Sequence, residues 1–298
     1  MLGDPLNSFS PMKTIRPLVT LFVTATLALC ARADFHDHVG IQLWSLRATT
    51  LTKGVLASFD QIKAWGLVEL EGSLTTDKMT PEQVRAALDA RGLKLPAVHA
   101  QYGDLVNKLP EMVHNAQVLG VKYVICPWIP HNDKTGLTPA EMEQAVKDFN
   151  RAGEAFRAIG VKFGYHPHGY ESNPGAKPGG TLLEDLIEGC KPENVCFEMD
   201  VFWIIHGGWD PVKLLEKYSG RWMGLHVKDI RKGAPTGFHT ARAPETDNVA
   251  VGYGAIDWHV VLSTAQKVGA EYYFIEDETP APLDNIPLTQ AYLKTLKL

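Results

Sequence analysis

Basic charge, cysteine and long apolar runs are all scarce in this chain of 298 residues, and each scarcity removes a class of protein. The formal net charge is −5, so lysine and arginine do not dominate any binding surface. An acidic chain is poorly suited to non-specific contact with nucleic acid, where affinity comes from neutralising phosphates. Four cysteines are too few for a disulfide-stapled scaffold. Among them Cys190 and Cys196 are close enough in sequence to bridge in an exported protein, but the expectation for Cys126, Cys190 and Cys196 is three buried thiols. No run beyond the N-terminal segment is long and apolar enough to cross a bilayer, so stable membrane insertion is not expected. There is no glycine-rich first turn of the dinucleotide-binding kind, no low-complexity linker, and no cluster of Arg and Lys that would mark a phosphate site.

The N-terminal segment reads as an address label. Lys13 and Arg16 form a basic region, an uncharged run follows from Pro17 to Cys30, and Ala31-Arg32-Ala33 has the small-x-small pattern of a signal-peptidase site. Met12 is the expected start and Asp34 the expected mature N-terminus, which makes residues 1–33 an extension with a secretory signal and residues 34–298 the folded domain. Leu29 before Cys30 argues against a lipid anchor at that cysteine. The protein is therefore expected to be exported, to a periplasm or to the medium.

From there to the end, short β-rich runs alternate with longer helical patterns. The strand candidates are Val39–Trp44, Leu67–Glu71, Leu95–His99, Lys122–Cys126, Lys162–His166, Val195–Asp200, Trp222–Val227 and Tyr272–Glu276. Between them Pro81–Arg91, Leu105–Leu119, Pro139–Ile159 and Pro211–Tyr218 place apolar residues three and four apart. Thr80-Pro81-Glu82 and Thr138-Pro139-Ala140 read as an N-cap followed by proline at the first helical position. Gly92, Gly120 and Gly160 stand where helices should stop. Eight β runs with helices between them predict an α/β fold: a single-domain (β/α)₈ TIM barrel. The longest irregular stretch, Arg231–Tyr253, follows the seventh strand, at the mouth where long loops usually serve function.

Strands of a parallel barrel are buried and should be apolar, yet polar groups collect at their C-terminal ends. Glu71 ends strand two and His99 strand three. Strand five supplies His166 and His168, strand six Glu198 and Asp200, strand seven His226, Lys228 and Asp229, and strand eight Glu276, Asp277 and Glu278. Barrel chemistry takes place at this end. His166, Asp200, His226 and Glu276 offer two imidazoles and two carboxylates, a set that a divalent cation would neutralise. Mixed nitrogen and oxygen donors favour Mn, Fe, Co or Zn. With open positions, such an ion acts as a Lewis acid on a substrate oxygen.

His168 shares the face of His166 by strand alternation, where it is a ligand, a substrate contact or a loop residue. Lys228 shares the face of His226, where it is an acid–base group, a substrate clamp, or a salt-bridge partner of Asp229 or a nearby glutamate. Glu69 shares the face of Glu71 and is expected to pair deeper in the barrel. Gln42 and Trp44 lie on one face of strand one, and Trp128 and Trp203 follow strands four and six, where they stack on a sugar ring or pack in the core.

These pieces together resemble the sugar phosphate isomerase/epimerase family of xylose-isomerase-like barrels. The resemblance runs over the whole of 34–298 and is carried by Gly40-Ile41-Gln42-Leu43-Trp44-Ser45-Leu46-Arg47, Gly164-Tyr165-His166-Pro167-His168, Phe197-Glu198-Met199-Asp200-Val201-Phe202-Trp203, Leu225-His226-Val227-Lys228-Asp229, Gly252-Tyr253-Gly254-Ala255-Ile256-Asp257-Trp258 and Tyr272-Tyr273-Phe274-Ile275-Glu276. It implies one divalent metal, Mn first with Co, Fe, Zn or Mg as alternatives, held by Asp200, His226 and Glu276. In the family's ketose epimerases the strand-five ligand is commonly glutamate, and two metal-bound glutamates move the proton. Here His166 stands in that place, so only Glu276 of that pair is kept, and Lys228, His168, His99 or Glu71 must supply a second base.

The expected activity is proton abstraction next to the carbonyl of an unphosphorylated sugar, ending in isomerisation or epimerisation. The alternative is a lyase or hydratase acting on 3-keto-glycosides through the same first step. A non-catalytic sugar-binding barrel and a DNA-repair endonuclease rank lower. Glu276, Lys228 and His168 are the expected catalytic groups. Gln42, Glu71, His99, Trp128 and Trp203 are the expected substrate contacts, with a small carbohydrate as the partner.

Overall fold

A computed structural model of the chain describes residues 35–75, 78–132 and 136–298, with positions 1 and 3. The expected signal, residues 12–33, lies outside the described residues. Ala33–Leu298 forms one compact unit. Its eight parallel strands are β1 (Val39–Gln42), β2 (Glu69–Ser73), β3 (Lys94–His99), β4 (Tyr123–Cys126), β5 (Lys162–Tyr165), β6 (Val195–Asp200), β7 (Trp222–Val227) and β8 (Tyr272–Ile275). They close in the order β1-β2-β3-β4-β5-β6-β7-β8, with β8 paired back to β1. Helices alternate with them, so the (β/α)₈ barrel expected from the sequence is the observed fold. No helix among the described residues is long and apolar enough to cross a membrane.

The helices begin where side chains can satisfy their first N–H groups. Thr80 and Thr138 each form a reciprocal capping box, with Gln83 and Glu141 respectively, and proline follows each in the first turn. Thr181 does the same with Glu184 without a proline. Each such cap stabilises by about 1 kcal/mol. Gly120 ends its helix in the left-handed conformation, φ 67°. The single helix expected over Leu105–Leu119 is two, Tyr102–Asn107 and Leu109–Leu119. Pro110 is the reason: it lacks an N–H and restricts the residue before it, so it can open a helix but not continue one.

Strand ends shift for local reasons too. β1 stops at Gln42 because Leu43–Leu46 winds into a 3₁₀ turn, with Gln42 Oε1 accepting from the Trp44 N–H at 2.9 Å. Trp44 therefore leaves the strand face it was expected to share with Gln42, and is 55% exposed at the rim. β2 runs two residues later than expected, and its pairing with β3 shifts register between Glu69 and Glu71. Glu69 pairs with His38, just before β1, at 3.3 Å, deeper in the barrel than Glu71 as expected. Cys126, Cys190 and Cys196 are free thiols; the first two are buried and Cys196 partly so.

A separate buried cluster of Ala97, Tyr123, Ile125, Met223, Tyr272 and Phe274 lies between β3, β4, β7 and β8. Tyr272 and Phe274 share by alternation the face of Glu276. An apolar plug thus underlies the charged layer at the C-terminal end.

One carboxylate organises the long loop after β7. Asp229 accepts from the N–H groups of Gly252, Gly254 and Ile256 and from the Trp258 indole, at 2.9 to 3.3 Å. Beyond β7, Asp229–Ile230 pairs antiparallel with Asn248–Val249. Arg231 clasps Asp247 at 2.7 Å. A Cβ on Gly254 would fall inside the contact shell of the Asp229 carboxylate, so the close approach requires glycine. Gly254→Ala should therefore destabilise by roughly 2–4 kcal/mol in urea unfolding. Asp229→Ala should cost a similar amount, and the double variant clearly less than their sum. Full additivity would remove the loop's dependence on this contact.

Candidate active site

Alternation along each strand decides which polar groups meet. Glu198 and Asp200, His226 and Lys228, and Glu276 and Glu278 are each two residues apart and share a face. Asp200 and His226 are also register partners across β6 and β7. Glu71, Glu198, Asp200, His166, His226, Lys228 and Glu276 are all buried at the C-terminal end.

Asp200 has two jobs. Its Oδ1 accepts the Trp203 N–H at 3.0 Å and caps helix Val201–His206. Its Oδ2 is buried and has no hydrogen-bond partner among the described residues. That oxygen lies 3.7 Å from His166 Nε2, 3.9 Å from His226 Nδ1 and 3.8 Å from Lys228 Nζ. Glu276 Oε2 is 3.2 Å from both His226 Nδ1 and Lys228 Nζ. Donor atoms of Asp200, His226 and Glu276 fall within 4.8 Å of one another, and so do those of His99, His166, Glu198 and His226. The four side chains expected as ligands are therefore neighbours. Burial, with Glu276 adding to it, raises the Asp200 carboxyl above the ordinary carboxylate range despite the Lys228 charge. A buried oxygen without a partner in a ring of imidazole and carboxylate donors suits a divalent cation of the Mn, Fe, Co or Zn type.

Lys228 is 1% exposed. Burial opposes its charge, but Glu276, Asp200 and Glu278 outweigh that and raise its pKa. Its ammonium bonds to Glu278 and lies 5.2 Å and 5.1 Å from the ring centres of Phe202 and Trp203. Its partners are thus nearby glutamates, not Asp229, which serves the loop. Trp44 Nε1 donates to the other Glu278 oxygen at 2.8 Å.

These groups open into a cavity of about 960 Å³. Gln42, Trp44, His99, Trp128, His166, His168, Trp203, His226, Lys228, Glu276 and Glu278 line it. Among the described residues, the lysine and arginine side chains in that lining are Lys228 and Arg47. Arg47 is bonded to the carbonyls of Trp44 and Glu278. Ala241, from the long loop, also reaches the cavity. The loop lies down on its neighbours: Gly237 and Phe238 N–H groups donate to the His206 carbonyl, and His239 Nδ1 is 2.6 Å from Ser172 Oγ.

Of the expected substrate contacts, Gln42, His99, Trp128 and Trp203 reach the cavity and Glu71 does not. Glu71 is fully buried, accepts from Gln42 Nε2 at 2.6 Å, and lies 3.1 Å from His99 and 2.7 Å from His226. Glu198 and Glu278 were not among the sequence's candidate site residues. The signal was available, since each is two positions from a candidate and on the same face.

His168 lines the cavity with a buried Nδ1 that has no hydrogen-bond partner among the described residues. Burial, then the neighbouring His166 and Lys228 charges, lowers its pKa. Its backbone is pinned by Glu171, which accepts the His168 N–H at 3.1 Å with both oxygens and also the Tyr165 hydroxyl. Glu171 is fully buried, and burial pushes its carboxyl up to about 7 against the pull of those hydrogen bonds.

Comparisons with known proteins agree with this architecture. A family model described as xylose isomerase-like TIM barrel matches residues 59–297. An inosose dehydratase from Geobacillus kaustophilus is 29% identical over 177 residues, which is 51% of this chain and 54% of that protein. The chain thus spans little more than half of that relative's length. A sugar phosphate isomerase/epimerase structure from Parabacteroides distasonis superposes with a TM-score of 0.67 at 22% identity, covering 91% of this chain and 98% of the other. The structure of an IOLI protein with a bound zinc atom gives 0.64 at 17% identity, covering 87% and 96%. At these identities the two structures speak to the fold alone.

The Glu171 environment has a measurable consequence. A carboxyl whose folded pKa is raised contributes stability that is present below its ordinary range and is lost as pH rises through about 7. Relative to Glu171→Gln, the native protein should lose up to on the order of 3 kcal/mol between pH 5 and pH 8 in urea unfolding. A difference that does not change with pH would contradict this.

Proposed function

The chain belongs to the xylose isomerase-like TIM-barrel family, and from that premise we propose a divalent-metal-dependent enzyme that removes a proton next to the carbonyl of an unphosphorylated sugar or sugar-like ketone. The observation that carries this reading is the buried, unpartnered Oδ2 of Asp200 facing the imidazole of His166 and the ammonium of Lys228, both of which line the cavity. His166, Asp200, His226 and Glu276 are the proposed ligands. A divalent cation held there would supply Lewis acidity to a substrate carbonyl.

The protein's own groups do the rest. His168, which lines the cavity and carries a buried nitrogen without a hydrogen-bond partner among the described residues, and Glu276 are the proposed proton acceptors. Lys228 lines the same cavity, where its ammonium can stabilise a developing oxyanion. Trp128 and Trp203 offer ring faces, and Gln42 and His99 polar contacts, for a carbohydrate. The scarcity of cations in the lining supports an unphosphorylated substrate, since Arg47 is already engaged.

The proton either returns, giving an isomerase or epimerase, or a leaving group departs from the β carbon, giving a dehydratase or lyase. Lys228 favours keeping the second ending, because its ammonium can hydrogen-bond to a departing hydroxyl or alkoxide and stabilise the charge that develops on it. The match to an inosose dehydratase supports it as well. Mn is the first metal to try and Zn the second.

Asp200→Asn should lower Mn or Zn affinity at least tenfold by chelator competition while the fold is kept; unchanged affinity would remove Asp200 from the ligand set. Incubating the Mn-loaded protein in D₂O with unphosphorylated ketoses, inososes and 3-keto-glycosides separates the two endings by mass spectrometry. Deuterium in an intact or rearranged sugar marks the isomerase, loss of water or of the aglycone marks the lyase, and neither event on any substrate contradicts the reaction. In the same assay Lys228→Met should lose about 10²–10⁴ in turnover.

A further inference from the structure

Beneath the proposed ligands lies a second layer of carboxylate, and Glu198 is its centre. Glu198 is fully buried on β6, two residues before Asp200, and does not line the cavity. Its Oε2 lies 3.0 Å from His166 Nδ1, 3.1 Å from His226 Nε2 and 3.4 Å from His99 Nε2. Glu71 Oε2 joins from below at 2.7 Å from the same His226 nitrogen and is itself held by Gln42. The other nitrogens of the two rings point upward. His166 Nε2 and His226 Nδ1 are the atoms 3.7 Å and 3.9 Å from the unpartnered Asp200 oxygen.

An imidazole that coordinates a cation must present a bare nitrogen, and the proton on its other nitrogen needs an acceptor. One carboxylate oxygen facing Nδ1 of one ring and Nε2 of the other dictates opposite tautomers in the two. We propose that Glu198, assisted by Glu71, is a positioning residue that keeps the His166 proton on Nδ1 and the His226 proton on Nε2, so that His166 Nε2 and His226 Nδ1 are both free for the cation. The proposal rests on the metal reading above but concerns atoms that can be observed without turnover. It also accounts for a glutamate two residues below Asp200, where its carboxylate has no access to substrate.

The test is ¹⁵N–¹H NMR of the histidine side chains with zinc affinity by chelator competition. It uses the full chain as wild type, Glu198→Met (similar in shape, with no strong acceptor) and Glu198→Gln (which keeps one acceptor oxygen). In the metal-free wild type the His166 proton should sit on Nδ1, and in the zinc-loaded protein the His226 proton should sit on Nε2. Glu198→Met should lose the His166 preference and bind zinc about 10–100-fold more weakly. Glu198→Gln should keep the tautomer and recover part of the affinity.

A His166 proton on Nε2 in the wild type overturns the proposal, and that reading stands even if Glu198→Met does not fold. Wild-type zinc affinity in Glu198→Met overturns it too. So do two zinc ions per wild-type chain of which Glu198→Met loses only one, because Glu198 would then be a ligand itself. Failure of the wild type to bind any divalent metal defeats the function proposed above, whereas the metal-free His166 tautomer and its response to Glu198→Met still decide this one.

Discussion

A carboxylate withdrawn from water needs a partner at close range, and the upper half of this barrel withdraws Glu71, Glu198, Asp200 and Glu276 together. The answering groups are His99, His166, His226 and Lys228, drawn from β3, β7 and the turns that follow β5 and β7. In the lower tier Gln42 and the histidines face one oxygen each of Glu71 and Glu198, and the second oxygen of each is buried with no hydrogen-bond partner among the described residues. In the upper tier one oxygen of Asp200 is likewise left over. The Asp200 oxygen lies against His166, His226 and Lys228, which line the cavity, and that ties the charge arrangement to chemistry.

Two other buried carboxylates show the contrast. Asp229 and Glu171 are answered mainly by backbone N–H groups, with the Trp258 indole and the Tyr165 hydroxyl added. They shape the polypeptide: Asp229 gathers the Gly252–Ile256 turn beside the barrel mouth, and Glu171 holds the His168 backbone. Asp200 combines both kinds, with one oxygen on the Trp203 N–H and the other open to the site. A helix cap and a candidate ligand in one side chain couple the direction of that oxygen to the start of helix Val201–His206.

Much of this was legible before folding. Eight apolar runs separated by capped helical segments lead to a closed parallel barrel, and Thr80, Thr138 and Gly120 mark helix ends correctly because capping is local chemistry. The polar ends of strands five to eight gather at one mouth, as the alternation of a parallel barrel requires. The errors are equally local in origin. Trp44 left its strand face because a 3₁₀ turn intervened, and the helix expected over Leu105–Leu119 divides at Pro110.

The sequence by itself determined which residues share a strand face, since the two-residue repeat of a strand is built into the chain, and hence that Asp200, His226 and Glu276 belong to one end of the barrel. Only the tertiary structure decided their depth and their partners. Strand register and barrel closure bring Glu198 within hydrogen-bond reach of three histidines from other strands, seat Glu71 below His226 rather than in the cavity, and place Glu278 rather than Asp229 on Lys228. Those contacts join residues tens to more than a hundred positions apart in the chain, and no local pattern records which of them will meet.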